Sequence, residues 1–240
     1  MSKKVNCICI IPARGGSKRI KKKNIKLFCG KPMISYAINS AIKSKCFDKI
    51  LVSTDSSKIA EIAKKYKAYV PFLRSKNLSG DNVPIAPVIY NVLAELRKIK
   101  INPQIICVLT ATSPLLSFKH LIESKNFFIK NRCKFLVSVN KYDYPIQRAL
   151  KIHNNKNLKM VNSKNSFKRS QDLKTHYHDA GQFYWGRANS FNKKSKILTD
   201  NSIPYLLKKF ESIDIDTNED WEQAKLLFKL QNFKKINKIL

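Results

Sequence analysis

Two stretches of this 240-residue chain combine residue types and spacing suited to charged, oxygen-rich substrates. The first is Ile11-Pro-Ala-Arg-Gly-Gly-Ser-Lys-Arg-Ile-Lys-Lys-Lys-Asn24. Gly15 and Gly16 let backbone N–H groups turn toward an anion and approach it closely. Arg14, Lys18, Arg19, Lys21, Lys22 and Lys23 surround them with positive charge. One reading is a phosphate-binding loop at the carboxyl end of a first strand, where α/β sheets bind ligands. The other is a solvated turn on a basic protein. A Walker loop is excluded, because Gly30-Lys31 is followed by Pro32 and Ile25 stands where its first glycine belongs. The dinucleotide pattern Gly-x-Gly-x-x-Gly is absent from the loop as well.

The second stretch is Glu211-Ser-Ile-Asp-Ile-Asp-Thr217. On a strand, residues two apart share a face, so Asp214 and Asp216 are expected to point the same way. Carboxylates that close repel unless a cation sits between them. Two hard oxygen donors with few other protein ligands suit Mg²⁺ carried by a polyphosphate. The alternative is one helix N-cap and one surface acid. Two further runs, Lys168-Arg169-Ser-Gln171-Asp-Leu173 and Tyr177-His178-Asp179-Ala-Gly-Gln182-Phe-Tyr184-Trp-Gly186, could line a polar pocket. His178 is open to three readings: general base, metal ligand or structural histidine. His120, His153 and His176 show no ligand spacing, and no Gly-x-Ser-x-Gly elbow supports a hydrolase.

Positioning these residues requires an alternating strand–helix frame. Apolar runs at 5–11, 49–53, 68–72, 105–109 and 135–139 read as strands. Helical periodicity marks 33–44, 58–67, 88–98 and 118–131, with Ser56 or Ser57 capping the second of these. Residues 74–87 read as a loop. Short connections between alternating elements give right-handed βαβ units and a mostly parallel sheet flanked by helices. Residues 140–178 break the rhythm, with an extended piece at 146–152 and turn-like asparagines. An excursion packing on a second subunit is preferred to a disordered loop. Residues 182–185 return to the sheet, 205–210 and 213–215 read as extended, and Thr217 or Asn218 caps a last helix over 219–230. The tail 232–240 either extends that helix or frays. The whole is expected to be one domain over 1–240.

The net charge of +31 raises nucleic acid or an anionic membrane as partners. Lysines are spread along the whole chain, however, with no basic tail and no arginine block. Lys, Asn and Ile share A/T-rich codons, which accounts for much of the excess. Neither partner is therefore expected, although polyphosphates should be attracted at long range. With 43% hydrophobic residues the chain is not of a disordered type. Its six cysteines contain no Cys-x-x-Cys, which points to free thiols in a reducing cytoplasm. No apolar run reaches membrane length, and residues 5–13 are too short for a signal core.

The loop at 11–24, Val52-Ser-Thr-Asp55, Thr112-Ser-Pro114 and Ser212-Ile-Asp-Ile-Asp-Thr217 together resemble the acylneuraminate cytidylyltransferase family. The resemblance implies a Rossmann-like nucleotide-diphospho-sugar transferase fold, Mg²⁺ as cofactor and a homodimer whose excursion reaches the partner's site. It also implies CTP and a nonulosonic acid as substrates. It makes Arg14 and Lys23 phosphate ligands, with Ala13, Gly15, Gly16, Ser17, Asn24, Arg74 and Asp81 completing the nucleotide site. Asp214 and Asp216 match the metal carboxylates. Thr110, Thr112, Ser113, Arg169, Gln171, His178, Asp179, Gln182 and Tyr184 fall at the sugar end. Lys21 and Lys22 read as surface charge. The sialic-acid branch usually has Gln-Pro-Thr-Ser-Pro at 110–114 and Arg-Pro-Asn-Gly at 178–181. Here Thr110-Ala-Thr-Ser-Pro and His178-Asp-Ala-Gly stand instead, which is similar to the pseudaminic acid branch. Val83 and Ile85 stand where relatives often carry hydroxyls in the nucleotide loop.

Overall fold

The computed structural model describes residues 6–154 and 156–236. The chain opens with strand β1 (Cys7–Pro12), then a small antiparallel pair, β2 (Leu27–Phe28) and β3 (Lys31–Pro32), and helix α1 (Met33–Ser44). β4 (Lys49–Ser53), α2 (Ser57–Lys65), α3 (Ile85–Lys98), β5 (Ile105–Leu109), α4 (Phe118–Asn131) and β6 (Phe135–Lys141) follow. Next come the hairpin β7 (Leu150–His153) and β8 (Asn157–Met160), then β9 (Tyr177–Arg187), β10 (Ser202–Leu206) and α5 (Asn218–Ile236). Position 5 of the expected first strand and positions 237–240 of the tail lie outside the described residues.

Among the described residues the central sheet has six strands in the order β10-β6-β9-β5-β1-β4. Five run in one direction, while β9 runs antiparallel between β5 and β6. Period-2 alternation along β1 sorts its side chains to two faces. Cys7, Cys9 and Ile11 join a core with α1, α2 and α4. Ile8 and Ile10 join a second core with α3. Burial on both faces explains why the strand reads as a continuous apolar run. Trp185 on β9 stacks on Phe47 with ring centroids 5.5 Å apart and donates its indole N–H to Ser124 at 2.8 Å.

A third, smaller core bears directly on the candidate site. Ile20 from the basic loop, Phe28 from β2, Met33 from α1, Ile215, and Trp221 and Ala224 from α5 are buried together. Phe28 meets Trp221 edge-on at 5.4 Å. Apolar packing thus fastens the basic loop to the acidic stretch, nearly two hundred residues away in sequence.

The structure corrects several expectations. Residues 68–72 form no strand. A single bridge joins Tyr69 to Leu51, and Pro71 has no N–H with which to continue a ladder. α3 begins at Ile85, with Pro84 at its N-cap and Pro87 in its first turn, where the missing N–H costs little. Residues 213–215 belong to no ladder, and the extended segment near 205 is β10, which ends at Leu206. The excursion contains the exposed β7–β8 hairpin. No helix among the described residues is long and apolar enough to cross a membrane.

Gly186 on β9 is walled in: a Cβ there would lie 2.7 Å from Phe191 and 2.8 Å from Phe135. Gly186→Ala is expected to cost about 1–3 kcal/mol through overpacking. Chemical denaturation of both chains measures it, and an unchanged midpoint would show that the two rings yield freely.

Candidate active site

The carboxyl ends of β1 and β5, the basic loop, the loop from Arg74 to Val83 and the start of α3 line a cleft of about 300 Å³. Its floor is the basic loop, which leaves β1 and folds back on itself through short turns. Asn24 is buried and locks that fold: its side-chain amide donates to Arg14 O at 2.9 Å, and its own carbonyl accepts Ile34 N at 2.8 Å. Gly15 donates its N–H to Asp55 Oδ1 at 2.8 Å. A Cβ on Gly15 would come within 3.1 Å of Ser56, so the close approach of the two loops favours glycine.

The loop cations meet two carboxylates. Arg14 Nη1 pairs with Asp81 Oδ1, and Lys18 Nζ lies 2.6 Å from Asp81 Oδ2. The Lys18 ammonium and then the Arg14 guanidinium hold the Asp81 carboxyl below the usual carboxylate range. On the other side, Lys23 Nζ donates to Ile215 O at 2.6 Å and to Asp216 Oδ1 at 3.2 Å, and Arg19 reaches the same oxygen at 3.0 Å. Arg74 is buried beneath the cleft, anchored by its backbone N–H to Thr54 O and by Nε to Ser79 Oγ at 3.1 Å. Burial lowers its pKa while Asp55 opposes the shift, and a guanidinium stays charged throughout.

Residues 211–217 form a strap held by side chains instead of a ladder. Ser212 Oγ donates to Asn140 Oδ1 at 2.9 Å, and Gln182 Nε2 donates to Ile213 O at 3.1 Å. Thr217 and Asp220 cap α5 reciprocally. Asp220 accepts the Asp216 and Thr217 amides at 2.9 and 2.7 Å, and Thr217 Oγ1 accepts Asp220 N at 3.2 Å. Asp214 lies against Gly181, whose Cβ would fall 3.4 Å from its carboxylate. Desolvation by the surrounding chain raises the Asp214 pKa, with Asp216 and Asp179 adding repulsion and Lys23 opposing.

Of the residues singled out from sequence, Arg14, Ser17, Lys23, Asn24, Arg74, Asp81, Thr110, Thr112 and Asp216 line the cleft. Ala13 and Ser113 are buried behind it, Ser113 bonded to Thr110 O at 2.9 Å. Asp179, Gln182 and Tyr184 sit on β9. Tyr184 OH donates to Asp179 Oδ2 at 2.6 Å, and Gly181 N donates to Asp179 Oδ1 at 2.8 Å. Burial and the Asp179 charge raise the Tyr184 pKa, so the phenol keeps its proton. His178 is exposed, its ring 4.8 Å from Tyr142 and its Nδ1 2.9 Å from Asp179 O. Arg169 and Gln171 lie on the exposed excursion, with Arg169 paired to Asp172 at 2.9 Å. Sequence reasoning did not assign Asp55, Ser79 or the apolar wall of Ile85 and Val88. Asp55 was detectable: it follows β4, the parallel neighbour of β1, so their two loops must meet.

A cation-rich loop facing carboxylates at the carboxyl ends of a parallel sheet suits nucleotidyl transfer, and the comparisons show that class. The cytidylyltransferase family model matches residues 8–236, and the chain belongs to that family. It is 42% identical to pseudaminic acid cytidylyltransferase of Campylobacter jejuni over 94% of this chain and 97% of that protein. CMP-N,N'-diacetyllegionaminic acid synthase of Legionella pneumophila is 31% identical, covering 93% of this chain and 96% of the relative. Among solved structures, CMP:2-keto-3-deoxy-manno-octonic acid synthetase complexed with CTP superposes with a TM-score of 0.69. It shares 14% identity and covers 94% of this chain and 99% of that one. At that identity the likeness shows the fold alone.

Gly181 has φ +63°, a conformation other residues adopt at a cost of about 1–2 kcal/mol. Because a Cβ there would also sit in contact with the Asp214 carboxylate at 3.4 Å, Gly181→Ala is expected to cut turnover more sharply than it lowers stability. Parallel activity and denaturation measurements check this, and turnover equal to that of the parent would separate Asp214 from the chemistry.

Proposed function

We propose that the chain transfers CMP from CTP to the anomeric hydroxyl of a nonulosonic acid, pseudaminic acid before others, and releases pyrophosphate. The observation that carries this reading is the cleft in which Lys23 of the basic loop meets Asp216 of the strap, in a chain so similar to pseudaminic acid cytidylyltransferase. In the reaction the anomeric oxygen attacks the α-phosphorus in line. The new P–O bond forms, the bond to the β-phosphate oxygen breaks, and the hydroxyl proton is lost. Such transfers depend on positioning and charge stabilisation. Arg14 and Lys23 donate to phosphate oxygens, Gly15 and Gly16 give the backbone access, and Arg74 and Asn24 hold the nucleotide side of the cleft.

Mg²⁺ belongs to the same reading. Asp216 is near enough to Asp214 to oppose its ionisation. No group of three or more His, Cys, Asp or Glu side chains suited to a metal occurs among the described residues. Two carboxylates without a cage fit an ion that keeps water and phosphate ligands. When bound, it supplies positive charge to the polyphosphate oxygens.

The excursion supplies the argument for a homodimer. Tyr144, Leu158 and Phe167 are 83%, 72% and fully exposed, and Ile152 and Val161 are exposed beside them. A run of uncovered apolar side chains on one arm fits a protein–protein contact. In that assembly the arm carries Arg169 toward the partner's sugar acid, where its planar fork suits a carboxylate. Asp179, Gln182, Tyr184 and Thr110 recognise the sugar from within the chain. The six free thiols fit a cytoplasmic enzyme.

The decisive measurement is pyrophosphate release from CTP with a panel of nonulosonic acids. Pseudaminic acid is expected to give the highest kcat/KM, and preference for sialic or legionaminic acid would overturn the branch assignment. Asp214→Ala and Asp216→Ala are each expected to abolish most turnover while circular dichroism stays that of the parent. Near-normal turnover in both would remove the strap from the chemistry. Leu158→Asp combined with Phe167→Asp is expected to shift sedimentation from dimer to monomer. A parent chain that already sediments as a monomer would refute the assembly.

A further inference from the structure

The four loop cations that line the catalytic cleft are all engaged by carboxylates: Arg14 and Lys18 by Asp81, Arg19 and Lys23 by Asp216. The back of the same loop is different. A second cleft of about 480 Å³ lies there, lined by Arg19, Lys21, Lys22, Lys26 and Lys58, with no aspartate or glutamate in its wall. Lys26 lies over the Trp221 ring at 4.8 Å and Arg19 is held by Asp216. Among the described residues, Lys21, Lys22 and Lys58 have no ion pair and no side-chain hydrogen bond. The unspent positive charge of the loop therefore faces this second cleft.

The cleft is also firmly built. Lys22 takes the left-handed conformation, φ 53°, and its carbonyl accepts both Ile25 N and Lys26 N at 2.9 Å. Lys23 N closes a further turn on Ile20 O at 3.1 Å. Apolar side chains of Ile20, Ile25 and Ile62 form the floor, and Ile20 is buried in the core beneath. Low-dielectric walls beneath like charges concentrate their field on whatever enters. Arg19 and Ile20 line both clefts, so the two sites share a wall.

The geometry points to a second anion site on the back of the loop, which takes a free inorganic diphosphate. The identity of that ligand rests on the proposed function, in which pyrophosphate leaves on the other side of Arg19. The released anion passes from cations already shared with Asp81 and Asp216 to three that have no partner. It then occupies the protein beside CTP instead of only in its place, so pyrophosphate inhibition is mixed with respect to CTP.

The test is calorimetry of sodium pyrophosphate binding to the full chain, with CTP saturating and no sugar acid present. The parent is expected to take up one pyrophosphate under these conditions. Lys21→Gln, Lys22→Asn and Lys58→Gln together are expected to weaken that binding about tenfold, leave the KM for CTP unchanged and turn the inhibition competitive. Asparagine is chosen at 22 because it tolerates the left-handed backbone. No uptake beside CTP, unchanged uptake in the triple variant, or a parallel loss of CTP affinity would each overturn the site. Binding is read without turnover, so a failure here is distinct from a failure of the enzymatic assignment, which the sugar-acid panel reads on its own.

Discussion

Lys23 makes the contact on which the site depends. Its ammonium reaches across 192 residues of sequence to the Ile215 carbonyl and on to the Asp216 carboxylate. A partly exposed ion pair contributes at most about 1 kcal/mol and could not hold the loop and strap together alone. The separation is set by Ile20, Ile215 and Trp221 packing beneath them, each burial contributing about 1.5–3 kcal/mol. Hydrophobic packing fixes the distance between the two charged surfaces, and charge fixes their alignment. If that core were loosened, the same residues would remain but the cleft between them would not.

Within that frame, and in the proposed reaction, the carboxylates hold the places that phosphate oxygens take. Asp81 and Asp216 each hold two cations of a loop that would otherwise repel itself. These pairs are weak enough to be exchanged for a better anion. A single negative charge gains little by displacing one of them. A polyphosphate engages several cations at once, and the gain grows with each phosphate. In the proposed reaction the arrangement therefore favours long phosphate chains without a deep pocket. Asp214 behaves differently: among the described residues it has no ion pair, it is desolvated and it lies near other acids, with Lys23 only partly offsetting them. A group kept in that state costs stability, and the strap's many anchors are what hold it there.

The elements with strong local signals were legible in the sequence. α1, β4, β5 and α4 have the expected bounds, because continuous apolar strands and periodic, capped helices are encoded locally. The failures fall where distant partners decide. Residues 68–72 look like a strand but find one bridge before Pro71. The acidic alternation at 211–217 looks like a strand yet is a strap, because Gln182, Asn140 and Lys23 take up its polar groups from other elements. The length and direction of β9 were illegible for the same reason: both its ladders are long-range, and Gly181 interrupts its pattern. The basic loop was legible as an anion candidate and Asp81 as part of the nucleotide site, while the pairing of Asp55 and Asp81 with the loop is set by the folding of neighbouring loops.

The direction of β9 also explains how one strand serves both ends of the proposed reaction. Because it runs against β5 and β6, its first half arrives at the carboxyl ends of the parallel strands, where the loops of the site gather. Tyr177 and His178 pair beside Lys141 and Asn140 at the root of the excursion. Four residues on, Gln182 accepts the Thr110 N–H at its carbonyl and donates its side-chain amide to Ile213 O, joining the β5 loop to the strap. Asp179 meanwhile fixes both the Gly181 amide and the Tyr184 hydroxyl. Asp179 and Gly181 thus lie between the root of the arm and the carboxylate of Asp214. In the proposed assembly, one strand therefore runs from the arm to the acidic strap.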